Sequence, residues 1–282
     1  MFDRAPHSPP PEPAALAHAV HARLPAFTDV AWLPDTGSTN ADLLARAREH
    51  NPPKPWLLGT HQQHQGRGRA GRAWVNAPGD CLMFSCAFDV HAAPSQLPAL
   101  SPLAGIAACE ALRTLAGLGG EDLRMKWPND VQWRGAKLAG ILVETTRNRG
   151  GADAGFTVVI GLGMNLRDSQ RLSSALGREI ADWGDVTGRV PSPDTVAAVV
   201  AALARAWHDA LQIFERDHFE AFLRRFDHID ALAGQPVNVL DQGAVKLSGV
   251  AAGCDALGRL MLRTDSGLLP VSVGDISVRL SS

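Results

Sequence analysis

The chain has 282 residues, of which 45% are hydrophobic and 20% are charged, and its formal net charge is −2. That length holds one large domain, or a large domain and a small one, around a substantial core. The slightly acidic balance argues against broad electrostatic attraction to nucleic acid or to anionic membranes. The sequence shows no apolar stretch long enough to span a bilayer, no apolar signal core, and no metal or disulfide spacing among its four cysteines. We therefore expect a cytoplasmic protein.

Residues 1–28 predict a loose arm followed by one short helix. The first 13 residues contain five prolines, and the alanine-rich segment from Ala14 to Leu24 suits a single modest helix. A helix-turn-helix that reads DNA needs two adjacent helices, and only this one is available before residue 35. We therefore expect no DNA binding.

A polar cluster follows the strand that is predicted for Val30–Leu33. Ser38, Thr39 and Asn40 precede a segment with helical periodicity, and all three residue types are good helix N-caps. The cluster is therefore either a simple cap or a set of hydroxyl and amide groups that binds a neutral polar head group. The residues alone leave both interpretations open.

The run from Gln62 to Trp74 alternates three glycines with three arginines and follows a predicted strand. Glycine lets the backbone adopt positive φ and approach a ligand closely. Arginine supplies a planar cation that matches phosphate or carboxylate. The run therefore predicts a loop that closes over a small anion. A non-catalytic Arg-Gly segment that binds RNA is the alternative, although such proteins usually carry a basic surplus that this chain lacks.

The segment Leu123–Val131 predicts a strand that ends in a Trp-Pro-Asn-Asp turn. Asp130 in this turn is either a hairpin residue or a partner for magnesium or ribose near a phosphate-binding loop. Lys137 then opens a strand that runs to Glu144, where it is either a solvated strand end or a binding residue. Gly140 inside that strand marks a place where another group approaches the backbone.

The next apolar strand, Phe156–Leu162, predicts a hairpin with the strand before it. It ends in Gly161-Leu162-Gly163-Met164-Asn165, which suits a flat ring lying against the main chain. The segment from Arg171 to Trp183 is predicted to be irregular. Residues 195–223 predict a long helix with a break near His218. From Gly234 onward, short strands separated by turns predict a small β-barrel of about five strands.

Five blocks, taken together and in order, resemble the signature of the biotin protein ligases. They are Ser38-Thr39-Asn40, Gly66-Arg67-Gly68-Arg69-x-Gly71-Arg72-x-Trp74, Lys126-Trp127-Pro128-Asn129-Asp130, Lys137-Leu138-Ala139-Gly140-Ile141-Leu142 and Gly161-x-Gly163-x-Asn165. The resemblance covers roughly residues 30–230, and a small C-terminal barrel also fits the family. His61, His64 and Gln65 make the start of the loop bulkier and more polar than the family pattern.

The resemblance implies an α+β protein. A catalytic domain with a mixed, class II synthetase-like sheet (residues 29–231) precedes a small SH3-like β-barrel (residues 232–282). The implied reaction activates biotin with ATP and Mg²⁺ to give biotinoyl-5′-AMP. The biotinoyl group then passes to a lysine of a biotin carboxyl carrier domain, such as that of acetyl-CoA carboxylase. No tightly bound prosthetic group and no repressor role are implied, and a monomer or a homodimer is compatible.

The resemblance also assigns the site residues. It places catalytic roles on Lys137, Arg67 and Arg69. It places the biotin pocket at Ser38, Thr39, Asn40, Gln63, Arg67, Gly68, Arg69, Lys137 and Gly140. It places ATP at Arg72, Trp74, Lys126, Asn129, Asp130 and Asn165, with Asn165 at the adenine and Asp130 as a magnesium ligand.

The chemistry agrees with this assignment. A carboxylate that attacks an α-phosphate brings two anions together, so cations must offset the repulsion, and no protein nucleophile is needed. A lipoate–protein ligase of the same catalytic fold is the nearest enzymatic alternative. Those enzymes are not expected to combine the Gly-Arg block with Lys-Trp-Pro-Asn-Asp.

Overall fold

The computed structural model describes residues 10–49, 52–74, 79–149, 154–241, 243–274 and 276–281. The helices are α1 (Pro13–His21), α2 (Thr39–Glu49), α3 (Leu100–Ala116), α4 (Ser169–Leu176), α5 (Trp183–Thr187), α6 (Pro193–Asp217) and α7 (Leu223–Ile229). The strands of the larger sheet are β1 (Asp29–Leu33), β2 (Trp56–Thr60), β3 (Cys81–Val90), β4 (Leu123–Lys126), β5 (Asp130–Trp133), β6 (Ala136–Arg147) and β7 (Phe156–Asn165). The arm predicted for residues 1–13 lies mostly outside the described residues.

The larger sheet is mixed, as predicted. Its strand order is β1-β2-β3-β7-β6-β5-β4, and β1 pairs with β2 in parallel while the other neighbours are antiparallel. The predicted hairpin of β6 and β7 is present, with Gly140 opposite Gly163. The turn between β4 and β5 is also a hairpin, because Lys126 pairs with Asp130. The hairpin interpretation of this turn and its binding interpretation are therefore compatible.

Helices cover both faces of this sheet, and each face has its own apolar cluster. On one face, α1, α3 and α6 pack into the main core, where Leu103, Ala107 and Trp207 are at most 1% exposed. Burial of a leucine-sized side chain stabilises the fold by about 1.5–3 kcal/mol. On the other face, α2 packs through a smaller apolar cluster that includes Leu43 and Val159. The polar N-terminus of α2 therefore meets the sheet next to β6 and β7.

The helix α6 is, among the described residues, the one helix whose length and apolar composition would allow a membrane span. It is mostly buried here, and Leu203, Trp207 and Phe214 are at most 1% exposed. The indole of Trp207 also donates a 3.0 Å hydrogen bond to the carbonyl of Ala104 in α3. These contacts are those of a core helix. The helix ends at Asp217 and His218 has φ 57°, which is the predicted break.

The prediction that residues 171–183 are irregular is wrong at both ends. They overlap α4 and the start of α5, and Leu172 and Trp183 are buried. Asp182 caps α5 by accepting a 2.9 Å hydrogen bond from the backbone N–H of Asp185. Both helices are shorter than the window over which helical periodicity is visible in a sequence.

The C-terminal strands form a separate antiparallel sheet. They are β8 (Pro236–Asp241), β9 (Ala244–Cys254), β10 (Leu260–Thr264), β11 (Gly267–Val271) and β12 (Ile276–Leu280), in the order β11-β10-β9-β8-β12. In the described part of the chain no ladder joins β11 to β12, so the predicted closed barrel is not observed. Strand β12 lies instead beside the Gly-Arg run of residues 62–74, since the carbonyl of Ile276 accepts a hydrogen bond from Arg69. The predicted boundary near residue 231 falls between α7 and β8.

The two sheets are joined by specific contacts. The indole of Trp127 donates a 3.0 Å hydrogen bond to the carbonyl of Gly258 in the C-terminal sheet. Gly258 has φ +72°, and a Cβ there would lie 3.2 Å from the Cα of Ala99. A larger residue would therefore crowd this turn against the start of α3.

Candidate functional site

The Gly-Arg run folds back on itself as a small hairpin. The backbone N–H of Gly68 donates to the carbonyl of Arg72 at 2.7 Å, and that of Trp74 donates to the carbonyl of Gly66 at 2.9 Å. At its tip, Ala70 has φ 54°, a left-handed conformation that favours glycine. The loop therefore holds its arginines on a compact turn.

Trp74 closes this loop by lying flat on the sheet. A Cβ on Gly163 would be 2.4 Å from Cε2 of Trp74, and one on Gly140 would be 3.4 Å from Cζ3. These glycines are opposite each other on β6 and β7. The sequence predicted a flat ring against this backbone, and in this structure the ring is the chain's own indole.

The N-terminus of α2 supplies the neutral polar groups of the site. Ser38, Thr39 and Asn40 are all less than 10% exposed. The backbone N–H of Thr39 donates to Oε1 of Gln63 at 2.9 Å, and the Thr39 hydroxyl lies 2.6 Å from the hydroxyl of Ser85. The cluster therefore starts α2 and also forms a hydrogen-bonded group with Gln63 and Ser85.

Charged residues converge from the hairpins on the other side. The Nζ atom of Lys137 lies 2.6 Å from Oδ1 of Asp130, and their side chains are 17% and 26% exposed. Burial lowers the pKa of Lys126, and nearby Lys137, Arg279 and Arg178 lower it further, whereas Asp130 raises it. A dense group of cations that repel one another is a suitable site for a polyanion.

Arg69 connects the Gly-Arg loop to the rest of the molecule. Its guanidinium donates to Oδ1 of Asn129 at 3.3 Å and to the carbonyl of Ile276 at 3.2 Å, and it also contacts the carbonyl of Gly274. The Nδ2 atom of Asn129 donates in turn to the carbonyl of Ile141. The arginine therefore connects the loop to the β4–β5 turn of the larger sheet and to the C-terminal sheet.

One cavity of about 600 Å³ brings nearly all the predicted site residues together. Its lining includes Ser38, Thr39, Asn40, Gln63, Arg67, Gly68, Arg69, Arg72, Trp74, Lys126, Asn129, Asp130, Lys137 and Gly140. This lining combines the neutral groups of α2 with lysines and arginines.

Asn165 is the exception among the predicted site residues. Its side chain is buried and donates to the carbonyls of Ala181 at 3.1 Å and Lys137 at 3.3 Å. It is not among the described residues that line the cavity. In this structure the amide supports the backbone beside Lys137, and its role at the adenine stays a prediction.

Sequence reasoning missed several residues of the lining, among them Ser85, Arg178 and Arg279. Ser85 lies inside the apolar strand β3, where a single serine gives no signal. Arg178 follows α4, in the segment that was predicted to be irregular. Arg279 lies in β12 and reaches the cavity only because the C-terminal sheet packs beside it. No local pattern in the sequence distinguishes the two arginines from ordinary surface residues.

The described residues contain no cluster of three acidic, histidine or cysteine side chains that could hold a metal by itself. Asp130 is the one carboxylate in the lining, and its Oδ1 atom is paired with Lys137. Mg²⁺ is commonly bound through one or two carboxylates together with substrate phosphates. The residues present therefore fit an ion that arrives with a nucleotide.

Comparison with known proteins connects this site to a family. Residues 32–165 match the biotin/lipoate A/B protein ligase family, and residues 233–279 match the biotin protein ligase C terminal domain. The bifunctional ligase/repressor BirA of Salmonella typhimurium is 33% identical over 275 residues, which are 95% of this chain and 80% of that protein. The biotin--[acetyl-CoA-carboxylase] ligase of Mycobacterium tuberculosis is 29% identical and covers 98% of each chain.

A solved structure agrees at the level of the fold. The biotin protein ligase from Aquifex aeolicus in complex with biotin and ATP superposes with a TM-score of 0.74 at 24% identity, over 90% of this chain and 100% of that one. The matches to the ligase family and to its C-terminal domain, together with a relative that is 33% identical over 80% of its length, establish that this chain belongs to the biotin protein ligases.

Proposed function

We propose that this protein activates biotin with ATP to form biotinoyl-5′-AMP and transfers the biotinoyl group to a lysine of a carrier protein. The observation that carries the proposal is the composition of the cavity lining. Buried hydroxyl and amide groups at the N-terminus of α2 share one cavity with lysines and arginines. A molecule with a neutral hydrogen-bonding head and a carboxylate tail, together with a nucleotide phosphate, matches that composition.

In the first step, a carboxylate oxygen of biotin bonds to the α-phosphorus of ATP, and the bond to pyrophosphate breaks. Both reactants are anions, so the step requires positive charge where they meet. Lys137 is the best candidate, because it lines the cavity, is mostly buried and is held by Asp130. Arg67 and Arg69 flank it on the loop. MgATP is the nucleotide substrate. Asp130 would bind its Mg²⁺, because it is the carboxylate in the described cavity lining.

In the second step, the amine of a carrier lysine attacks the carbonyl carbon of the mixed anhydride, and AMP leaves. The anhydride is prone to hydrolysis, so water must be kept out until the amine arrives. The Gly-Arg loop is suited to this role because its tip is a compact turn and Arg69 holds it against two other parts of the chain. Closing loops commonly sequester a reaction in this way.

The nucleotide roles of Arg72, Trp74, Lys126 and Asn129 are part of the same proposal, supported by their common position in the lining. The acceptor that we propose is a biotin carboxyl carrier domain, since the relative from Mycobacterium tuberculosis is named for acetyl-CoA carboxylase. Four free cysteines favour a reducing, cytoplasmic setting.

Two finer structural assignments belong to the proposal as well. The catalytic domain is class II synthetase-like, and the C-terminal sheet is an SH3-like unit with one open side. The match of residues 233–279 to the family's C-terminal domain supports the second assignment. We place the domain boundary near residue 231, in the short connection between α7 and β8.

The test is pyrophosphate release from MgATP with biotin, and with lipoate in parallel, followed by mass spectrometry of a carrier domain added to the reaction. Biotin-dependent release and a carrier heavier by one biotinoyl group are expected. Release with lipoate alone would identify a lipoate ligase. Salt-sensitive RNA binding without biotin-dependent turnover would favour the Arg-Gly RNA-binding alternative.

A further inference from the structure

Glu144 is a charged residue of β6 that the sequence did not single out. It follows Gly140 and Leu142 at intervals of two residues, so all three point to the face of the sheet that carries the cavity. Its side chain is 29% exposed, and its Oε1 atom lies 3.9 Å from a guanidinium nitrogen of Arg67. Its Oε2 atom accepts a 2.8 Å hydrogen bond from Nδ2 of Asn40.

This contact fixes the orientation of the Asn40 amide. Nδ2 faces two groups that can only accept, the Glu144 carboxylate and the carbonyl of Leu142 at 3.3 Å. Oδ1 of Asn40 must therefore face the other way, where it accepts a 2.6 Å hydrogen bond from the hydroxyl of Ser85. The amide cannot be reversed without placing its oxygen against a carboxylate.

The fixed amide then sets the direction of the next two hydroxyls. Ser85 has one hydroxyl proton and gives it to Asn40, so at its 2.6 Å contact with Thr39 the Thr39 hydroxyl is the donor. That proton cannot also serve the longer, 3.3 Å contact from Thr39 to Gln63. The Thr39 oxygen therefore offers only lone pairs to a ligand in the cavity.

We propose that Glu144 is a positioning residue that makes the Thr39 hydroxyl an acceptor for a ring N–H of the substrate and holds Arg67 over the same end of the cavity. This inference rests on the proposed function. A ureido ring has N–H groups that satisfy such an acceptor, whereas the dithiolane ring of lipoate has none. A site that is built to bond a substrate N–H rejects an analogue that lacks it far more strongly than apolar contacts do.

The experiment compares Glu144→Ala and Glu144→Gln with the parent protein and with Glu220→Ala, an exposed carboxylate outside the cavity lining. The measurements are the biotin Kd by calorimetry without ATP, and kcat and KM for biotin and for ATP by pyrophosphate release. Glu144→Ala is expected to raise the Kd and KM for biotin by about 10- to 100-fold, in line with the loss of one or two oriented hydrogen bonds. The KM for ATP should stay within about threefold.

A double-variant cycle separates orientation from general damage. In a Thr39→Val background the hydroxyl that Glu144 orients is gone, so adding Glu144→Ala should cost much less than it does in the parent. Glu144→Gln keeps the shape but loses the charge and can turn its amide, so its biotin KM should lie between those of the parent and the alanine variant.

Two results would overturn the inference. One is a biotin KM within twofold of the parent in Glu144→Ala, and the other is an equal cost of Glu144→Ala with and without the Thr39 hydroxyl. A parent protein without biotin-dependent pyrophosphate release would refute the proposed function first, and this inference with it. An active parent with insensitive Glu144 variants would refute this inference alone.

Discussion

Replacing Lys137 with alanine tests the charge argument at the centre of the proposed reaction. Two unit charges about 4 Å apart interact by about 4 kcal/mol at an effective dielectric of about 20. Asp130, 2.6 Å from the ammonium, already offsets part of the charge on Lys137. Loss of one preorganised donor of this kind typically lowers kcat by about 10²–10³. We expect a fall in adenylate formation of that size.

The assay is single-turnover formation of biotinoyl-AMP, with thermal unfolding followed on the same samples. The matched control is Lys246→Ala, because Lys246 is 61% exposed and paired with Asp241 at the C-terminal sheet. The control should keep the parent rate, and both variants should unfold within a few degrees of the parent. A Lys137→Ala rate within threefold of the parent, in a folded protein, would remove the residue from the mechanism.

Three further predictions follow from particular contacts. Arg69→Ala should let biotinoyl-AMP escape, since the loop loses its hold on Asn129 and the C-terminal sheet; adenylate retained as in the parent in quenched-flow experiments would contradict this role. Gly163→Ala should lower the free energy of unfolding by about 1–3 kcal/mol, because the new methyl overlaps Trp74; an unchanged urea midpoint would show that the indole moves aside freely. Burial raises the pKa of Asp230 to about 6 from 3.8, so ionisation costs more in the folded state. Stability should therefore fall as pH rises from about 4 through about 6, by roughly 1–3 kcal/mol. Asp230→Asn keeps an acceptor for the N–H of Leu232 and should abolish that part of the fall. An equal fall in the parent and the variant, by urea unfolding at pH 4.5 and 7.5, would refute this assignment.

The predictable part of the molecule consists of features with a local physical cause. Nearly continuous apolar runs mark β3 and β7, and a glycine inside β6 marks the backbone over which Trp74 lies. The Gly-Arg loop and the Lys-Trp-Pro-Asn-Asp turn each have a distinctive short pattern, so both could be recognised in the sequence. In the structure their residues line one cavity. The sequence therefore led to the cavity and to the mixed sheet.

The remaining features depend on contacts between distant segments. Ser85 and Glu144 are ordinary strand residues until Asn40 of α2 lies between them. Arg279 enters the cavity lining only through the packing of the C-terminal sheet. Asn165 ends a glycine-rich strand, as a ligand residue would, but its buried amide donates to the carbonyls of Ala181 and Lys137. None of these outcomes is encoded within a short window of sequence.

Arg69 belongs to two assemblies at once, since the guanidinium assigned to the substrate also bonds the main chain of Gly274 and Ile276. If a bound anion draws the guanidinium away, these hydrogen bonds break, and the contact between the Gly-Arg loop and the C-terminal sheet loses their free energy. Linkage is reciprocal, so a protein that pulls on that sheet also alters how firmly the adenylate is held. An arriving carrier that touches β12 would thereby loosen the intermediate at the moment when its own lysine is near.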